Sequence, residues 1–370
     1  MNRILFLVGS FYPAQCGGPN NSLYWIAKSL VKSGVDVSVY TTSKGQSDNQ
    51  ILNEKVNLDG IKSYYFSYIL SHLFCIRMIL RLIYKVRTFD IVHLTSIFYP
   101  LSFICALICI FFRVKFSVSP RGELDKAALK YSSTLKKFYI KTTIWAYKRC
   151  DFALATSEVE ESDIKRFLGP SVRVKRLPNY IETKPLVKNI TEKKEGYILC
   201  IGRIHPKKNI ESLIKAYISL PQVVQNNLPL VIAGKGENKY LEDLRKLSMS
   251  AAGEVSFVGH IEGTEKEHLL FHSMIMILPS HGENFGNVVT EALAQGTPVI
   301  ASEFTPWKLL VDNKCGYLVS NNPDSLRTSI LNFIEQSKES RIVMQNNAIN
   351  LIRNNFDINT HSENVLEVFT

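Results

Sequence analysis

Short, continuous apolar runs alternate with helical stretches along almost the whole chain, and that alternation restricts the fold more than any other feature. In the first half the runs are Ile4 to Val8, Val35 to Thr41, Ile91 to Leu94, Phe116 to Ser119 and Phe152 to Thr156, with helical stretches such as Ser22 to Ser33 between them. The second half repeats the plan with Tyr197 to Ile201, Leu230 to Ala233, Val255 to Val258, Ile275 to Leu278 and Pro298 to Ala301. Strands that are apolar throughout are buried on both faces, which is the signature of a parallel sheet covered by helices. The pattern predicts an α/β protein with two Rossmann-like parallel-sheet domains, and 370 residues suffice for two such cores. Lys184 to Glu195 lacks apolar periodicity and reads as the linker, giving an N-terminal domain over 1–185 and a second over 186–350. Open parallel sheets bind ligands at the carboxyl ends of their strands, so two of them predict a site in the cleft between the domains.

Composition removes other classes. Only 21% of residues are charged, Gly and Pro number 19 and 14, and no repeat interrupts the chain, so disordered, collagenous and solenoid readings fail. The net charge of +11 is unevenly spread. Residues 1–185 carry 26 Lys and Arg against 13 Asp and Glu, while 186–370 carry 18 against 20. Such a block in one domain points to a polyanionic surface, a nucleic acid or an anionic membrane. The seven cysteines, without a CxxC pair, read as reduced core residues of a cytoplasmic protein. The opening MNRILFLVGS is too short in its apolar stretch for a signal peptide and reads as a first buried strand.

Ile97 to Phe112 is uncharged, but as a helix it reaches only about 24 Å, short of the roughly 30 Å hydrocarbon core, and reads as a buried helix after a strand. Residues 65–86 differ. Ile69, Leu73, Ile76, Leu80 and Ile83 recur at helical spacing beside a stripe of Arg77, Arg81 and Lys85, forming an amphipathic basic helix. It either lies on an anionic membrane or packs on its own domain with a solvated edge. Tyr131 to Arg149 interleaves Lys136, Lys137, Lys141, Lys148 and Arg149 with Phe138, Tyr139, Trp145 and Tyr147, which favours the membrane surface.

Three segments carry chemistry. Gly17-Gly18-Pro19 follows the first strand and leads into a helix whose N-terminus can offer amides to an anion. The dinucleotide pattern GxGxxG is missing, which counts against a nicotinamide enzyme. ILCIGRIHPKKN opens the second domain and sets Arg203 and Lys208 in a strand-end loop suited to a diphosphate. LPSHGENFGNVVTEALAQGTPVIAS, residues 278–302, sets Glu283 in a loop and Glu291 in a helix starting near Gly286. The amides of Asn284, Phe285, Gly286, Asn287 and Val288 can take phosphate or sugar oxygens there, and the two carboxylates can accept from sugar hydroxyls.

With Gly17-Gly18, DIVHLTS, SPRGELD (119–125), GRIHPKKN, VIAGKGE (231–237), VSFVGHI (255–261), Glu283 to Glu291 and GTPVIAS in this order, the chain resembles the GT-B glycosyltransferases. Within them it is similar to the retaining family 4, the glycosyl transferases group 1 of bacterial polysaccharide assembly. The resemblance implies that Arg203 and Lys208 hold and stabilise the departing diphosphate. It implies that Glu291 binds the ribose and that Glu283 with the Asn284–Asn287 backbone holds the donor hexose. Gly17-Gly18 would close over the donor from the first domain, and residues 351–370 would form a helix crossing back to that domain. Many members carry a histidine where this chain has Arg121, so that residue is a possible sugar or phosphate contact; the alternative is that it anchors its loop through Glu123 or Asp125.

His268 and His272, four apart on a helix, lack an HExxH-like third ligand and read as a packed helix face, and no DxD triad occurs. The expectation is an enzyme without a metal or cofactor. It would move a hexose from a UDP- or GDP-sugar to a glycan acceptor, lipid-linked, in capsule, O-antigen or exopolysaccharide synthesis. It would sit peripherally on the inner face of the cell membrane through a salt-sensitive contact of its basic domain, and bind no nucleic acid. A nucleotide-sugar epimerase of the same fold and a non-catalytic basic nucleic-acid-binding scaffold remain open alternatives.

Overall fold

The computed structural model describes residues 2–14, 18–46, 50–68, 74–125, 129, 134–183 and 196–370, and at 18–20, 135 and 137 the backbone alone. Gly17, Ile69, Leu73 and the linker Lys184 to Glu195 lie outside the described residues. The chain forms two compact units, Met1–Glu182 with Ile358–Thr370, and Thr183–Asp357.

The first unit runs β1 (Arg3–Leu7), α1 (Gly18–Lys32), β2 (Asp36–Thr42), β3 (Lys55–Leu58), β4 (Ile61–Phe66), α2 (Ile76–Lys85), β5 (Ile91–Thr95) and α3 (Pro100–Phe112), then β6 (Lys115–Ser119), α4 (Thr134–Tyr147), β7 (Phe152–Ala155), α5 (Glu158–Leu168) and β8 (Val174–Arg176). Its sheet has the order β3-β4-β2-β1-β5-β6-β7-β8. It is parallel except for β3, which pairs antiparallel with β4 around Asp59-Gly60. Both turn residues have positive φ, 50° and 84°, the geometry of a two-residue hairpin. The all-parallel expectation is corrected here. One core covers the sheet face under α2, α3, α4 and α5, and includes Met78, Leu82, Leu101, Cys105, Tyr147 and Ile164. A second lies under α1.

The second unit runs β9 (Ile198–Ile201), α6 (Ile210–Ile218), α7 (Gln222–Asn227), β10 (Leu230–Ala233), α8 (Asn238–Ser248), β11 (Val255–Gly259), α9 (Gly263–His272) and β12 (Ile275–Leu278), then α10 (Asn287–Ala294), β13 (Val299–Ser302), α11 (Leu309–Asp312), β14 (Gly316–Val319), α12 (Pro323–Ile334) and α13 (Lys338–Asn355). Its strands lie in the order β11-β10-β9-β12-β13-β14, every pair parallel. Apolar residues of β9, β10 and β12 pack with Leu213, Ile214 and Tyr217 of α6 in its core.

The single helix expected over 351–370 is instead the end of one helix and the whole of a second. α13 ends at Asn355 in the second unit, and α14 (Ser362–Phe369) packs in the first. There the Phe369 ring meets Phe6 at 5.3 Å and His93 at 5.5 Å, edge-on. Of the described cysteines all are free; Cys75, Cys105, Cys109, Cys200 and Cys315 are buried and Cys150 half-buried.

Candidate functional site

In the second unit the chain winds from β9 through β10 to β11 on one side, and from β12 through β13 to β14 on the other. The order reverses between β9 and β12, and a crevice opens at such a point beyond the carboxyl ends of the strands. The loops that leave these two strands carry Arg203 and Lys208 after β9, and Glu283 after β12. A small cavity there is lined by Gly202, Arg203, Lys208, Leu278 and Pro279.

Lys208 closes a short 3₁₀ turn, Pro206–Lys208, and its ammonium pairs with the Glu283 carboxylate. Ser280 Oγ donates to the same Glu283 oxygen at 2.7 Å. The loops are bound to each other by backbone as well: the His281 amide donates to the Lys207 carbonyl at 2.9 Å. The Asn209 amide group donates to the carbonyls of Pro279 at 3.2 Å and Asn321 at 2.7 Å. Backbone and side-chain hydrogen bonds together therefore hold the loops that carry Lys208 and Glu283 against each other. Burial, reinforced by the charges of Arg203, Lys207 and Lys208, holds the His205 imidazole below its ordinary value, so the loop is electropositive and this ring is neutral. Its Nδ1 accepts from the Lys207 amide at 3.1 Å.

The Gly234-Lys235-Gly236 segment after β10 has a backbone reason. A Cβ on Gly234 would stand 1.8 Å from the Gly202 carbonyl oxygen, so only glycine lets the ends of β9 and β10 come this close.

The stretch Asn284 to Asn287 leads into α10, with Gly286 as N-cap at φ 82°. Phe285 is buried rather than turned to a ligand. Its ring meets Trp307 at 5.4 Å and Phe356 at 5.8 Å, and its carbonyl accepts from Trp307 Nε1 at 2.5 Å. A Cβ on Gly286 would press on the same indole nitrogen at 3.3 Å. Trp307 thus fixes the direction in which the first amides of α10 point, and a helix N-terminus so fixed suits an anion or a sugar oxygen. Glu291 lies in α10 and forms an ion pair with Lys266 of α9 at 2.6 Å. Neither Trp307 nor Lys266 was singled out by motif; Lys266 has no signal in the sequence, because its partner lies on another helix.

Arg203, Lys208 and Glu283 thus come together, with Asn284 to Asn287 and Glu291 following in one loop and helix. In the first unit, Gly18 begins α1, and Arg121 has a left-handed backbone at φ 54°. Its Nη1 donates to Asn179 Oδ1 at 2.7 Å and to Ser22 Oγ at 3.2 Å. Anchoring through Glu123 is not what holds it. Glu123 instead accepts from Ser96 Oγ at 2.5 Å and from the amides of Ile97 and Phe98 at 2.7 and 3.2 Å, before the N-terminus of α3. Arg121 Nε and Nη2 are buried without a hydrogen-bond partner among the described residues.

The basic stripe of 65–86 is rearranged. The described helix begins only at Ile76, and it docks through Met78 and Leu82, leaving Ile76, Leu80 and Ile83 exposed. Arg81 turns inward, its guanidinium 4.0 Å from the Tyr64 ring centre and its Nε donating to the Tyr40 hydroxyl at 3.2 Å. Arg77 donates to Ser67 Oγ at 2.9 Å, and Lys85 lies over Tyr84 at 4.6 Å. The helix is apolar on two sides, and periodicity alone does not choose which side packs. His268 and His272 lie along α9 with ring centres 6.1 Å apart.

Two α/β units, the second with a cation–carboxylate pair at its strand-order reversal, fit the GT-B plan. Residues 183–351 match the family described as Glycosyl transferases group 1, and residues 16–184 match Glycosyltransferase Family 4. The two matches adjoin and together span most of the chain, which belongs to this family of glycosyltransferases. It is 26% identical over 351 residues to an uncharacterized glycosyltransferase of Methanocaldococcus jannaschii, covering 88% of this chain and 87% of that one. It is 29% identical over 143 residues to the O-antigen chain mannosyltransferase B of Escherichia coli, covering 38% of this chain and 37% of that one. Among solved structures it is similar to Anabaena HepE in complex with UDP and glucose, with a TM-score of 0.77 at 17% identity, covering 100% of this chain and 99% of that one.

Proposed function

We propose that this glycosyltransferase moves a hexose, with retention, from a UDP- or GDP-sugar to a lipid-linked glycan at the inner face of the cell membrane, in surface polysaccharide synthesis. The observation that carries the reading is the Lys208–Glu283 pair at the strand-order reversal of the second unit, with Arg203 beside it. Arg203 and Lys208, rather than a metal ion, neutralise the diphosphate as it departs. That charge develops in the transition state, so cations fixed beforehand lower the barrier without reorganising. Glu283 and the amides of Asn284 to Asn287 orient the hexose, and Glu291, held by Lys266, accepts from the ribose hydroxyls. In front-face attack the acceptor proton passes to the departing phosphate oxygen, so the residues align and stabilise rather than shuttle protons. Gly17-Gly18 and Arg121 are assigned to the donor from the first unit, which also takes the acceptor. Relatives that act on O-antigen chains and a structural neighbour crystallised with UDP support this reading.

The test separates turnover from binding. Lys208→Ala is expected to lower turnover far more than donor affinity, and Glu291→Ala to raise the donor KM with a smaller change in kcat. Weakened binding with unchanged turnover in Lys208→Ala would overturn the assignment.

A further inference from the structure

The outward side of the helical layer formed by α2, α3 and α4 exposes large apolar side chains. On α2, Ile76, Leu80, Ile83 and Tyr84 are 58%, 61%, 43% and 79% exposed, at positions that share one face of the helix. Phe111 at the end of α3, and Phe138 and Trp145 on α4, are exposed in the same layer. The three helices lie side by side over one sheet face: Met78 of α2, Cys105 of α3 and Ala146 of α4 belong to the same core, and Phe103 of α3 meets the Trp145 ring at 6.4 Å. Met78 and Leu82 already dock α2 on the core, and among the described residues the outer stripe stays largely exposed.

Cations border these side chains. Lys85 lies over Tyr84 at 4.6 Å, Arg87 over Phe112 at 4.9 Å and Arg149 over Trp145 at 5.0 Å. Between residues 62 and 149 there are 15 Lys and Arg against Asp90, Glu123 and Asp125. Two of these acids are spent on backbone amides, Asp90 on Arg3 and Glu123 on Ile97 and Phe98. Aliphatic groups outermost, with Trp, Tyr, Lys and Arg beside them, match the boundary between acyl chains and anionic head groups. A second copy of the chain would set one basic block against another, and a nucleic acid has no use for an aliphatic stripe.

We propose that this layer is an insertion surface for an anionic bilayer, in which Ile76, Leu80, Ile83 and Tyr84 enter the interface and Lys85, Arg87 and Arg149 meet the lipid phosphates. The proposal deepens the membrane element of the function above and rests on that reading. It also changes which residues matter: the contact is made by the apolar stripe, and Arg81 is occupied at Tyr64 and Tyr40. High salt then weakens the attachment without abolishing it, in contrast to a purely basic contact.

The experiment uses the purified full chain with sedimenting vesicles of phosphatidylcholine, alone or mixed with phosphatidylglycerol. The protein is expected to bind the mixed vesicles at least about tenfold better than the neutral ones, to remain partly bound in high salt, and to show a blue-shifted Trp145 emission that Trp145→Phe removes. The triple variant Ile76→Ser, Leu80→Ser, Ile83→Ser is expected to lose vesicle binding by about tenfold or more while keeping its melting temperature and its stabilisation by UDP or GDP. Equal vesicle binding by wild type and triple variant overturns the proposal, as does release of all bound protein by salt. A wild-type dimer in solution that the triple variant converts to monomer overturns it as well, because a second copy would then cover the face. Nucleotide stabilisation without vesicle binding leaves the donor reading standing and defeats this one alone.

Discussion

The strand-end loops of the second unit and the outer helical layer of the first use the same residue types in opposite ways. In the loops, Lys208 is locked to Glu283, and the backbone beneath both is tied through Lys207–His281 and Asn209–Pro279. In the layer, the cations stand beside exposed rings and aliphatic stems face outward. A cation whose geometry is fixed by neighbours can stabilise charge at one point in a reaction; a cation on a solvated stem can only add to a field. Basic residues alone did not distinguish the two roles in this chain, and partners did.

The contrast can be broken from the loop side first. Trp307→Ala removes a buried ring that supports Phe285 and Gly286, and should cost about 3–5 kcal/mol of stability. Denaturant unfolding checks it, and Trp307→Phe should recover most of the loss. Lys208→Ala should reduce kcat by about 100- to 1000-fold, the usual effect of deleting one preorganised electrostatic group, measured by steady-state release of nucleotide.

Acid should act through buried His93. Burial, with Arg121 adding its charge, lowers His93 to about 3, while the unfolded chain takes up the proton near 6.5. A lowered histidine leaves stability unaffected above its unfolded value. As pH falls from about 6.5 toward 3, the unfolded state binds the proton first, and stability falls by roughly 1.4 kcal/mol per pH unit. His93→Asn should remove that slope in unfolding titrations, whereas surface substitutions should leave it.

Smaller effects sharpen the comparison. Lys266→Met should raise the donor KM about three- to tenfold with little change in kcat, and Lys266→Arg should restore it, because the lysine acts through Glu291. On the layer, Leu80→Ser should change folding stability by less than about 0.5 kcal/mol, since the side chain is mostly exposed.

Much of this was legible in the sequence where local pattern and tertiary role coincide. The apolar runs at Ile198–Ile201, Leu230–Ala233 and Ile275–Leu278 are strands, and glycines 234 and 286 stand where backbone approach or a left-handed cap requires them. Short or charged edge strands were not found. β8 reads Val-Lys-Arg and β3 reads Lys-Val-Asn-Leu, neither an apolar run, and for β3 the sequence signal is its Asp59-Gly60 hairpin turn. In α2 the helical period is legible in the sequence, but whether the Ile76, Leu80 and Ile83 stripe packs or faces outward is not, because Met78 and Leu82 offer a second apolar side to the same core. Lys266 and Trp307 were illegible for a different reason: each acts on a residue distant in sequence, and no local spacing records that.

The central claim is that the second unit holds a nucleoside diphosphate through Arg203, Lys208 and Glu291. Thermal unfolding of the purified chain with UDP, GDP, ADP, CMP or NAD tests it most directly, since a ligand bound only by the folded state stabilises it with the logarithm of its concentration. UDP or GDP alone should raise the melting temperature, and Glu291→Ala should weaken that shift. A shift with none of them, or an equal shift in Glu291→Ala, would contradict the account.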